Sequence, residues 1–484
     1  MTIRRRHTAV LALVALCSAC RSAPEPDPRI VTEWMHTLYG AVRAERVSPA
    51  VGSRLFAYAT VGMYAGLAAA DPSLPRIEGR LNGLTTLPRG SADSTYDGSI
   101  AAIAAERTIL DSLFRDGLPT TRASLTRVAD SLMRTRAPSV DAATQARSVR
   151  LGVETAFAIL VWSHGDGFDS TRGRKYVLPV GVGMWTNDSA ANTFAVHNMS
   201  GASQLIDPAN PANTTRSGSV SDRSLILDRI KNAGVKTLPA ANMAGITEPY
   251  WGHNRPFSLT AWNECPAPPA LPFSTTAGTP LYEEARAVYE MRQHLTPEQK
   301  LTSLYWADNA GESGTPAGHW LSIASEMVGE RHLGTAQAAW LMAMTGVSLA
   351  DAFIVAWGYK FQHNSVRPRA FIRATMDSLW EPAIVTPSFP EYLSGHSTVS
   401  AAAAGTLTGA LGATAFDDST SISIGHAVRH YASFTAAADE AGMSRIYGGI
   451  HFPYSNREGR SLGRCIASKV LARFDGGKLP ESGR

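Results

Sequence analysis

The sequence predicts an all-α protein, built as two packed helical bundles in one domain with long irregular connections. Apolar residues recur at helical spacing over most of the 484 residues. That spacing lapses between about residues 165 and 280, where glycine, proline, asparagine, serine and threonine are frequent. Hydrophobic residues make up 44% of the chain, which is enough for a large shared core. No internal repeat is visible.

Each predicted helix is a run in which apolar residues return to one face about every 3.6 residues. The stretch from 165 to 280 is long for a loop without structure of its own, so short helices or strands are expected inside it. Residues 455–458 (Ser-Asn-Arg-Glu) form a capping-box pattern, which predicts the start of a final helix running to about Phe474. The other predicted helices are 30–45, 52–70, 98–116, 121–135, 140–164, 281–293, 296–308, 317–329 and 334–360.

The first 20 residues are predicted to be a signal peptide of the lipoprotein type. Three arginines at residues 4–6 give a positively charged start, and Thr8 to Leu16 give a short apolar segment. Residues 16–20 (Leu-Cys-Ser-Ala-Cys) resemble a bacterial lipobox, in which Cys20 becomes the lipidated residue after cleavage. The apolar segment of the signal peptide is too short to span a membrane. We expect no later apolar segment that is long enough to span a membrane and free of polar residues.

A plain signal peptide cut near Ala19 or Ala23 is the alternative interpretation. Either cleavage exports the protein, so the predicted location is the cell envelope, lipid-anchored in a bacterial membrane facing the periplasm, or the exterior after secretion. Residues 21–29 then form a flexible tether, and residues 30–475 form the folded domain.

Charge and cysteine content narrow the classes of function. The net charge is only +4 and basic runs are absent after residue 6, so a nucleic-acid partner has no support. Beyond the signal segment only Cys265 and Cys465 remain. Because exported proteins keep few unpaired cysteines, we favour a disulfide between them over two buried thiols.

Three short stretches in the last quarter of the chain, within residues 350–475, collect groups that donate hydrogen bonds to an oxyanion. The first runs from Lys360 to Pro368 (K-F-Q-H-N-S-V-R-P). Lys360 and Arg367 are two helical turns apart, so they are expected to share a helix face before Pro368 ends the helix. His363 lies between them on that face, where it either lines a pocket or packs.

The second stretch is Ser394-Gly395-His396, which precedes a run of small apolar residues. Ser394 is predicted to cap a helix, which leaves backbone N–H groups at the positive helix end free for an anion. His396 in the first turn is then placed to give or take a proton beside that anion.

The third stretch runs from Arg445 to His451 (R-I-Y-G-G-I-H). Its two adjacent glycines argue against one continuous helix, so Arg445 and His451 are expected to meet through a turn. Each stretch alone has an ordinary structural explanation, but their occurrence together predicts one oxyanion site.

The pattern K-x6-R-P, then S-G-H, then S-R-x5-H resembles the three-part signature of the superfamily that joins type 2 phosphatidic acid phosphatases and vanadium-dependent haloperoxidases. Further stretches resemble the bacterial haloperoxidases in particular, and the resemblance covers most of residues 30–475. One departure is Leu393, which stands where the family usually has proline before Ser-Gly-His and so affects the loop more than the anion donors. The further stretches are Val47-Ser48-Pro49, residues 53–58, Pro249–Gly252, Gly314–Trp320 and Phe389–Tyr392.

The resemblance implies a vanadate site and assigns roles within it. His451 would be the axial ligand bonded to vanadium, His396 the acid–base residue, and Lys360 and Arg445 would stabilise negative charge on oxygen. Phosphate would occupy the site when vanadate is absent. The complete set of implied vanadate-binding residues is Lys360, Arg367, Ser394, Gly395, His396, Arg445 and His451.

Two aromatic residues flank the motifs in a way that resembles chloroperoxidase-type members of the family. Trp357 lies one helical turn before Lys360, and Phe389 lies seven residues before His396. Bromoperoxidase-type members often carry histidine at the second position. The resemblance therefore favours an apolar halide pocket, although two residues do not fix the preferred halide.

The implied function is a vanadate-dependent haloperoxidase, which oxidises halide with hydrogen peroxide to hypohalous acid or its equivalent. Its partners would be peroxide, halide and a small organic acceptor, and a homo-oligomer is left open. One alternative is an acid phosphatase that uses the same residues through a phosphohistidine at His451. A second is a non-catalytic, anion-binding envelope lipoprotein. The motifs define the anion and leave the organic acceptor unnamed.

Four further residues have weaker assignments. His319, in T-P-A-G-H-W, is interpreted as structural, and Asp308 as a carboxylate that orients Arg445. His426 and His430 have metal-ligand spacing for one helix face, but no carboxylate pattern accompanies them, so we interpret them as surface or packing residues.

Overall fold

The computed structural model describes residues 27–171, 174–187 and 246–481, and these are mostly helical, which confirms the all-α prediction. The predicted helix boundaries agree with the structure to within three residues. The first half of the chain contains α1 (Arg29–Ala44), α2 (Pro49–Ala70), α3 (Gly98–Leu113), α4 (Pro119–Arg136), α5 (Ala142–His164) and the single turn α6 (Phe168–Thr171).

The second half carries the three motifs and one small hairpin. Along both halves of the described chain, short 3-10 turns occur at Ala137–Ser139, Trp251–His253, Ile422–Ile424 and Asp475–Gly477. The two strands, β1 (Phe416–Asp418) and β2 (Arg429–Tyr431), pair antiparallel. The helices are α7 (Pro280–Gln293), α8 (Pro297–Tyr305), α9 (Thr315–Glu330), α10 (Thr335–His363), α11 (Pro368–Thr375), α12 (Gly395–Leu411), α13 (Phe434–Tyr447) and α14 (Pro453–Arg473).

Helix α10 is the central element of the core. It packs against α2 on the side of the N-terminal helices and against α12 on the side of the motif-bearing helices. It is apolar and long enough to cross a membrane by length and composition, so the expectation that no later segment would qualify was wrong. Its apolar window is wholly buried within the protein, however, as is usual for the core helix of a large bundle.

Glycines allow helices of each group to approach closely. A Cβ at Gly152 on α5 would lie 2.2 Å from the carbonyl oxygen of Ala101 on α3. A Cβ at Gly463 on α14 would lie 2.3 Å from the carbonyl oxygen of Thr398 on α12. Larger residues would force the helix pairs apart, and the second pair holds the start of α12, where Ser394 and His396 lie.

The prediction that Lys360 and Arg367 share one helix face was wrong. Helix α10 ends at His363, and Asn364 adopts a left-handed conformation with φ of 46°. Asparagine tolerates that conformation better than most residues, and its N–H bonds the carbonyl of Lys360 at 2.8 Å. Arg367 is the residue that caps α11, so the chain turn brings the two cations together.

The other two motifs fold locally as predicted, apart from the capping box. Ser394 caps α12 by accepting a hydrogen bond from the N–H of Ser397 at 3.4 Å. A turn with Gly449 at φ of 75° joins Arg445, on α13, to His451. The capping box at residues 455–458 is wrong, because α14 begins two residues earlier at Pro453, and its N-cap residue makes no side-chain hydrogen bond.

The signal peptide with its lipidation residue Cys20, and most of the tether, lie outside the described residues, as do residues 188–245 of the irregular connection. Within the described part of that connection, the turns at α6 and at Trp251–His253 are the short helices expected there. His426 and His430 do not lie on one helix: the first precedes β2 and the second lies on β2, exposed and paired with Asp417.

Cys265 and Cys465 form the predicted disulfide, with Cα atoms 5.9 Å apart. It joins the connection before α7 to helix α14 across 200 residues of sequence. Cys265 is fully buried, so the bond is protected within the structure.

We expect loss of this disulfide to destabilise the protein by about 2–4 kcal/mol, because the closed loop restricts the unfolded chain. Cys465→Ser should lower the midpoint of urea unfolding, and dithiothreitol should lower the wild-type midpoint to the same level. The double variant with Cys265→Ser should match the single variant. Two titratable thiols in the unreduced, denatured protein would contradict the bond.

Candidate active site

His451 is held by a buried carboxylate that sequence reasoning did not assign. Its Nδ1 lies 2.8 Å from Oε1 of Glu391, which also accepts the backbone N–H of Phe452 at 3.1 Å. Because that oxygen acts as an acceptor, Nδ1 carries the proton and Nε2 keeps a lone pair. Burial, followed by Arg367 and Lys360, lowers the pKa of His451 well below its usual value. The ring is therefore neutral, with Nε2 available as a ligand.

His396 faces the same pocket from the first turn of α12. Its Nε2 atom is buried and has no hydrogen-bond partner, while its ring forms a hydrogen bond with the backbone of Trp306. Burial, and then the charge of Arg445, lowers the pKa of His396 well below its usual value. A neutral imidazole with one unsatisfied nitrogen can accept a proton there and return it.

Arg445 reaches the pocket from the last turn of α13. Its Nη1 donates to the carbonyl oxygen of Trp306 at 2.8 Å, and its Nε is buried without a partner. Burial lowers the pKa of Arg445 to about 10, and the charge of Asp308 opposes that change. The carboxylate of Asp308 hydrogen-bonds His319, and its charge also acts on Arg445; the orienting role expected of Asp308 stays a prediction.

Lys360 is fully buried and supports the loop before Ser394. Its Nζ donates to the carbonyl oxygens of Pro390 at 3.1 Å and Glu391 at 2.9 Å, and also to that of Leu393. Those bonds use the three hydrogens of an ammonium group. Burial, followed by Arg367, lowers the pKa of Lys360 well below its usual value.

Arg367 lies between that loop and His451. Its Nη1 donates to the carbonyl oxygen of Ile450 at 2.8 Å and lies 3.3 Å from Nε2 of His451. Its Nε donates to the carbonyl of Phe389 at 3.0 Å. The guanidinium is fully buried, so it places a fixed positive charge beside Nε2 of the histidine.

Ser394 and Gly395 form the start of α12 at the pocket. The Ser394 hydroxyl lies 2.7 Å from that of Ser397, which in turn donates to Asn456 at 2.6 Å. Since Ser397 has one hydroxyl hydrogen, Ser394 gives its own to Ser397 when Ser397 bonds Asn456. A Cβ at Gly395 would meet the ring of Trp357 at 3.5 Å and Cε of Lys360 at 3.8 Å.

Trp357 and Phe389 form an apolar wall, as predicted, with ring centroids 4.9 Å apart. The Nζ atom of Lys360 lies 5.1 Å from the centre of the Phe389 ring, and the Arg367 guanidinium lies 4.9 Å from it. His363 does not line the pocket; it stacks on Tyr359 with centroids 6.1 Å apart and therefore has the packing role.

The pocket brings together residues from the whole described chain. Gly395, His396, Arg445 and His451 line it, whereas Lys360, Arg367 and Ser394 stand behind that lining. The remaining wall is largely apolar and includes residues from outside the motifs. These are Pro49, Thr247, Ala307, Asp308, Asn309, Ala310, Pro316, Phe353, Trp357, Val385, Pro387, Ser388, Phe389 and Ile450.

The charges around the pocket fit a small oxyanion. Three cations, Lys360, Arg367 and Arg445, are at least 97% buried, and the charge of Arg367 adds to burial in disfavouring positive charge on Lys360. Burial raises the pKa of Glu391 to about 7, although Lys360 and Arg367 oppose the shift. A bound oxyanion would offset the cost of burying these cations and accept a hydrogen bond from the free Nε of Arg445, while a protonated oxygen of the same anion would donate to Nε2 of His396.

Similarity to known proteins agrees with the sequence-based resemblance. Residues 340–476 match the family model described as the VCPO second helical-bundle domain. None of the curated proteins matches this chain.

Among solved structures, the first bacterial vanadium-dependent iodoperoxidase is 27% identical to this chain, with a TM-score of 0.72. The match covers 93% of this chain and 96% of the iodoperoxidase. The holo-type bacterial vanadium-dependent chloroperoxidase is 14% identical, with a TM-score of 0.62, covering 93% of this chain and 98% of its own. The apo-type of that chloroperoxidase is also 14% identical, with a TM-score of 0.61 and coverages of 89% and 95%. The two chloroperoxidases support the fold alone, and the matches together confirm the resemblance.

We expect Glu391→Ala to weaken vanadate binding about 10–100-fold, because His451 loses the partner that fixes its tautomer and ring orientation. Isothermal titration of the apoprotein with orthovanadate measures the change. Glu391→Gln keeps an acceptor oxygen and should lose less. Glu381→Ala removes an exposed carboxylate from the same connection and should leave the affinity unchanged. Wild-type affinity in Glu391→Ala would contradict the role.

Proposed function

We propose that this chain is a vanadate-dependent haloperoxidase, which uses hydrogen peroxide to oxidise halide to hypohalous acid or its equivalent. The observation that carries the proposal is the meeting of three separate motifs at one buried, cationic pocket. The 27% identity to a bacterial iodoperoxidase over 93% of the chain supports the same chemistry. The products would halogenate small organic acceptors.

Vanadate would be held at the pocket surface by Gly395, His396, Arg445 and His451, with the other members of the predicted set, Lys360, Arg367 and Ser394, behind them. When bound, it supplies a Lewis acid that activates peroxide without a change of metal oxidation state. Its oxygens would be bound by the arginine donors and by the backbone at the start of α12. In its absence, inorganic phosphate would occupy the same donors.

The protein residues have separable tasks in this reaction. Glu391 accepts the Nδ1–H hydrogen bond of His451, so Nε2 would be the ring nitrogen that holds the vanadium. His396 takes a proton from incoming peroxide at its free Nε2 and returns one to the leaving oxygen. Arg445 and Arg367 stabilise negative charge on oxygen, in a pocket whose apolar wall strengthens those interactions by excluding water.

An acid phosphatase remains the second candidate, and one observation favours it. The Glu391 contact that prepares Nε2 of His451 as a metal ligand also prepares it as a nucleophile toward phosphorus. His396 would then protonate the leaving group. The two functions share every donor and differ in the reagent that reaches the site.

We further propose that the protein works outside the cytoplasm, after cleavage between Ala19 and Cys20 and attachment of lipid at Cys20. The disulfide between Cys265 and Cys465 supports an oxidising compartment. A homo-oligomer remains a prediction.

Titration of the apoprotein with orthovanadate tests the function. Halogenation of a phenol reporter, followed with peroxide and iodide, bromide or chloride in turn, should rise with vanadate and saturate at one equivalent of site. Iodide should be the most readily oxidised of the three. Hydrolysis of p-nitrophenyl phosphate without any vanadate-dependent halogenation would reject the haloperoxidase and favour the phosphatase.

Two histidine variants should fail in different ways. His451→Ala should abolish vanadate retention after gel filtration, because it removes the ring nitrogen that would bind vanadium. His396→Ala should retain vanadate but slow turnover about 10²–10⁴-fold, the usual contribution of a general acid–base group. Metal analysis beside the halogenation rate separates the two. Equal vanadate content in wild type and His451→Ala would refute the role of His451 as the vanadium ligand.

A further inference from the structure

A fully buried histidine, His319 on α9, lies behind the active site between two carboxylates. Its Nδ1 lies 3.0 Å from Oδ1 of Asp308, and its Nε2 lies 2.8 Å from Oδ2 of Asp418. Asp308 is part of the pocket wall, and Asp418 ends strand β1 on the far side of the histidine. The three side chains therefore connect the hairpin to the pocket.

Both nitrogens of His319 face oxygens that accept hydrogen bonds when the carboxylates are ionised, so both must carry a proton. The ring is then a buried imidazolium, compensated on both edges. Burial lowers the pKa of His319, but the charges of Asp308 and Asp418 outweigh burial and raise that pKa well above its usual value. Burial also raises the pKa of Asp418, but His319 outweighs this effect and lowers that pKa to about 2.

We call Asp308, His319 and Asp418 together the clamp. It contacts Trp306, whose ring stacks on that of His319 with centroids 4.4 Å apart and planes 13° apart. The Trp306 carbonyl accepts the hydrogen bond from Arg445, and the backbone of Trp306 also bonds His396. Asp308, two residues on, has a φ of 47°, a left-handed conformation that a non-glycine residue keeps only when its surroundings hold it.

We propose that His319 and Asp418 are positioning residues for the oxyanion site. The imidazolium between Asp308 and Asp418 fixes residues 306–308, and that segment aims Arg445 and His396 at the anion. The proposal rests on the proposed function for the identity of the anion. It assigns a role in the reaction to Asp418, a residue on the opposite side of His319 from the pocket.

Other titratable groups face the clamp but do not replace its parts. Tyr305 donates to the backbone carbonyl of Asp418 at 3.3 Å and packs edge-on against His319. Burial raises the pKa of Glu326 to about 7, which the charge of His319 opposes, and its carboxylate bonds Ser419 on the hairpin. Burial lowers the pKa of His426, near Tyr305.

The variant Asp418→Asn distinguishes two ways in which Asp418 could affect anion binding: by holding the site geometry, or by its negative charge alone. If His319 stayed charged, removal of the Asp418 charge would strengthen anion binding. If His319 instead loses a proton, the net charge of the cluster is unchanged and only the geometry relaxes. Positioning therefore predicts weaker binding, by about tenfold or more, as for other residues that orient ligand-binding groups.

The neighbouring residue provides a matched control. Asp417 precedes Asp418 on β1, but its side chain is exposed and pairs with His430 on the surface of the hairpin. Asp417→Asn therefore removes the same charge from the same strand without touching His319. It should keep wild-type vanadate affinity in isothermal titration, whereas Asp418→Asn should not.

Histidine-selective ¹⁵N NMR of the apoprotein gives a readout that needs neither vanadate nor turnover. The wild type should show one histidine, absent from His319→Gln, with protons on both ring nitrogens at neutral and mildly alkaline pH. The ring signals of His396 should shift in Asp418→Asn and remain in place in Asp417→Asn. Failure of the wild type to bind vanadate would reject the proposed function and leave this test standing.

Three results would overturn the positioning role. One is a bare ring nitrogen on His319 in the folded wild type at neutral pH. The second is a vanadate affinity in Asp418→Asn that equals or exceeds that of Asp417→Asn and wild type. The third is unchanged His396 signals in folded Asp418→Asn. If the variant does not fold, the wild-type NMR measurement alone decides whether the doubly paired imidazolium exists.

Discussion

The arrangement of the site depends on one buried ammonium group. Lys360, near the end of the central helix α10, donates to three carbonyl groups of the loop at residues 390–393. That loop carries Glu391, which orients His451, and it leads directly into the helix start at Ser394. A charged donor that gathers three carbonyls holds a backbone segment more firmly than neutral hydrogen bonds would. Lys360 therefore organises the other groups as well as contributing charge.

The second constraint is electrostatic. Burying Lys360, Arg367 and Arg445 within one region is unfavourable in the absence of compensating negative charge. The protein supplies part of it through Glu391 and Asp308, whose side chains also fix a histidine each. The remaining imbalance favours a bound anion. The same carboxylates thus set both the charge of the pocket and the orientation of its neighbours.

Helical periodicity is a local pattern, so the sequence located the helix boundaries to within three residues. The order and spacing of the motifs predicted that they meet at one site, and four of the seven implied residues line the pocket: Gly395, His396, Arg445 and His451. The roles of Glu391 and Trp306 could not be predicted, since their contacts cross 60 and 139 residues of sequence, and the second uses a backbone carbonyl that any residue provides. The shared helix face of Lys360 and Arg367 failed because a left-handed turn at Asn364 is only weakly signalled by its residue type.

The wall of the pocket has a consequence for how such a protein diversifies and folds. All seven donors lie after residue 359, whereas Pro49, Thr247 and Pro316 come from earlier parts of the chain. Substitutions in that earlier wall can change the shape and hydration of the pocket while the anion chemistry stays constant. During synthesis, moreover, these three wall residues emerge before any of the donors. The reactive centre is therefore completed only when the C-terminal helices pack against residues that were synthesised before them.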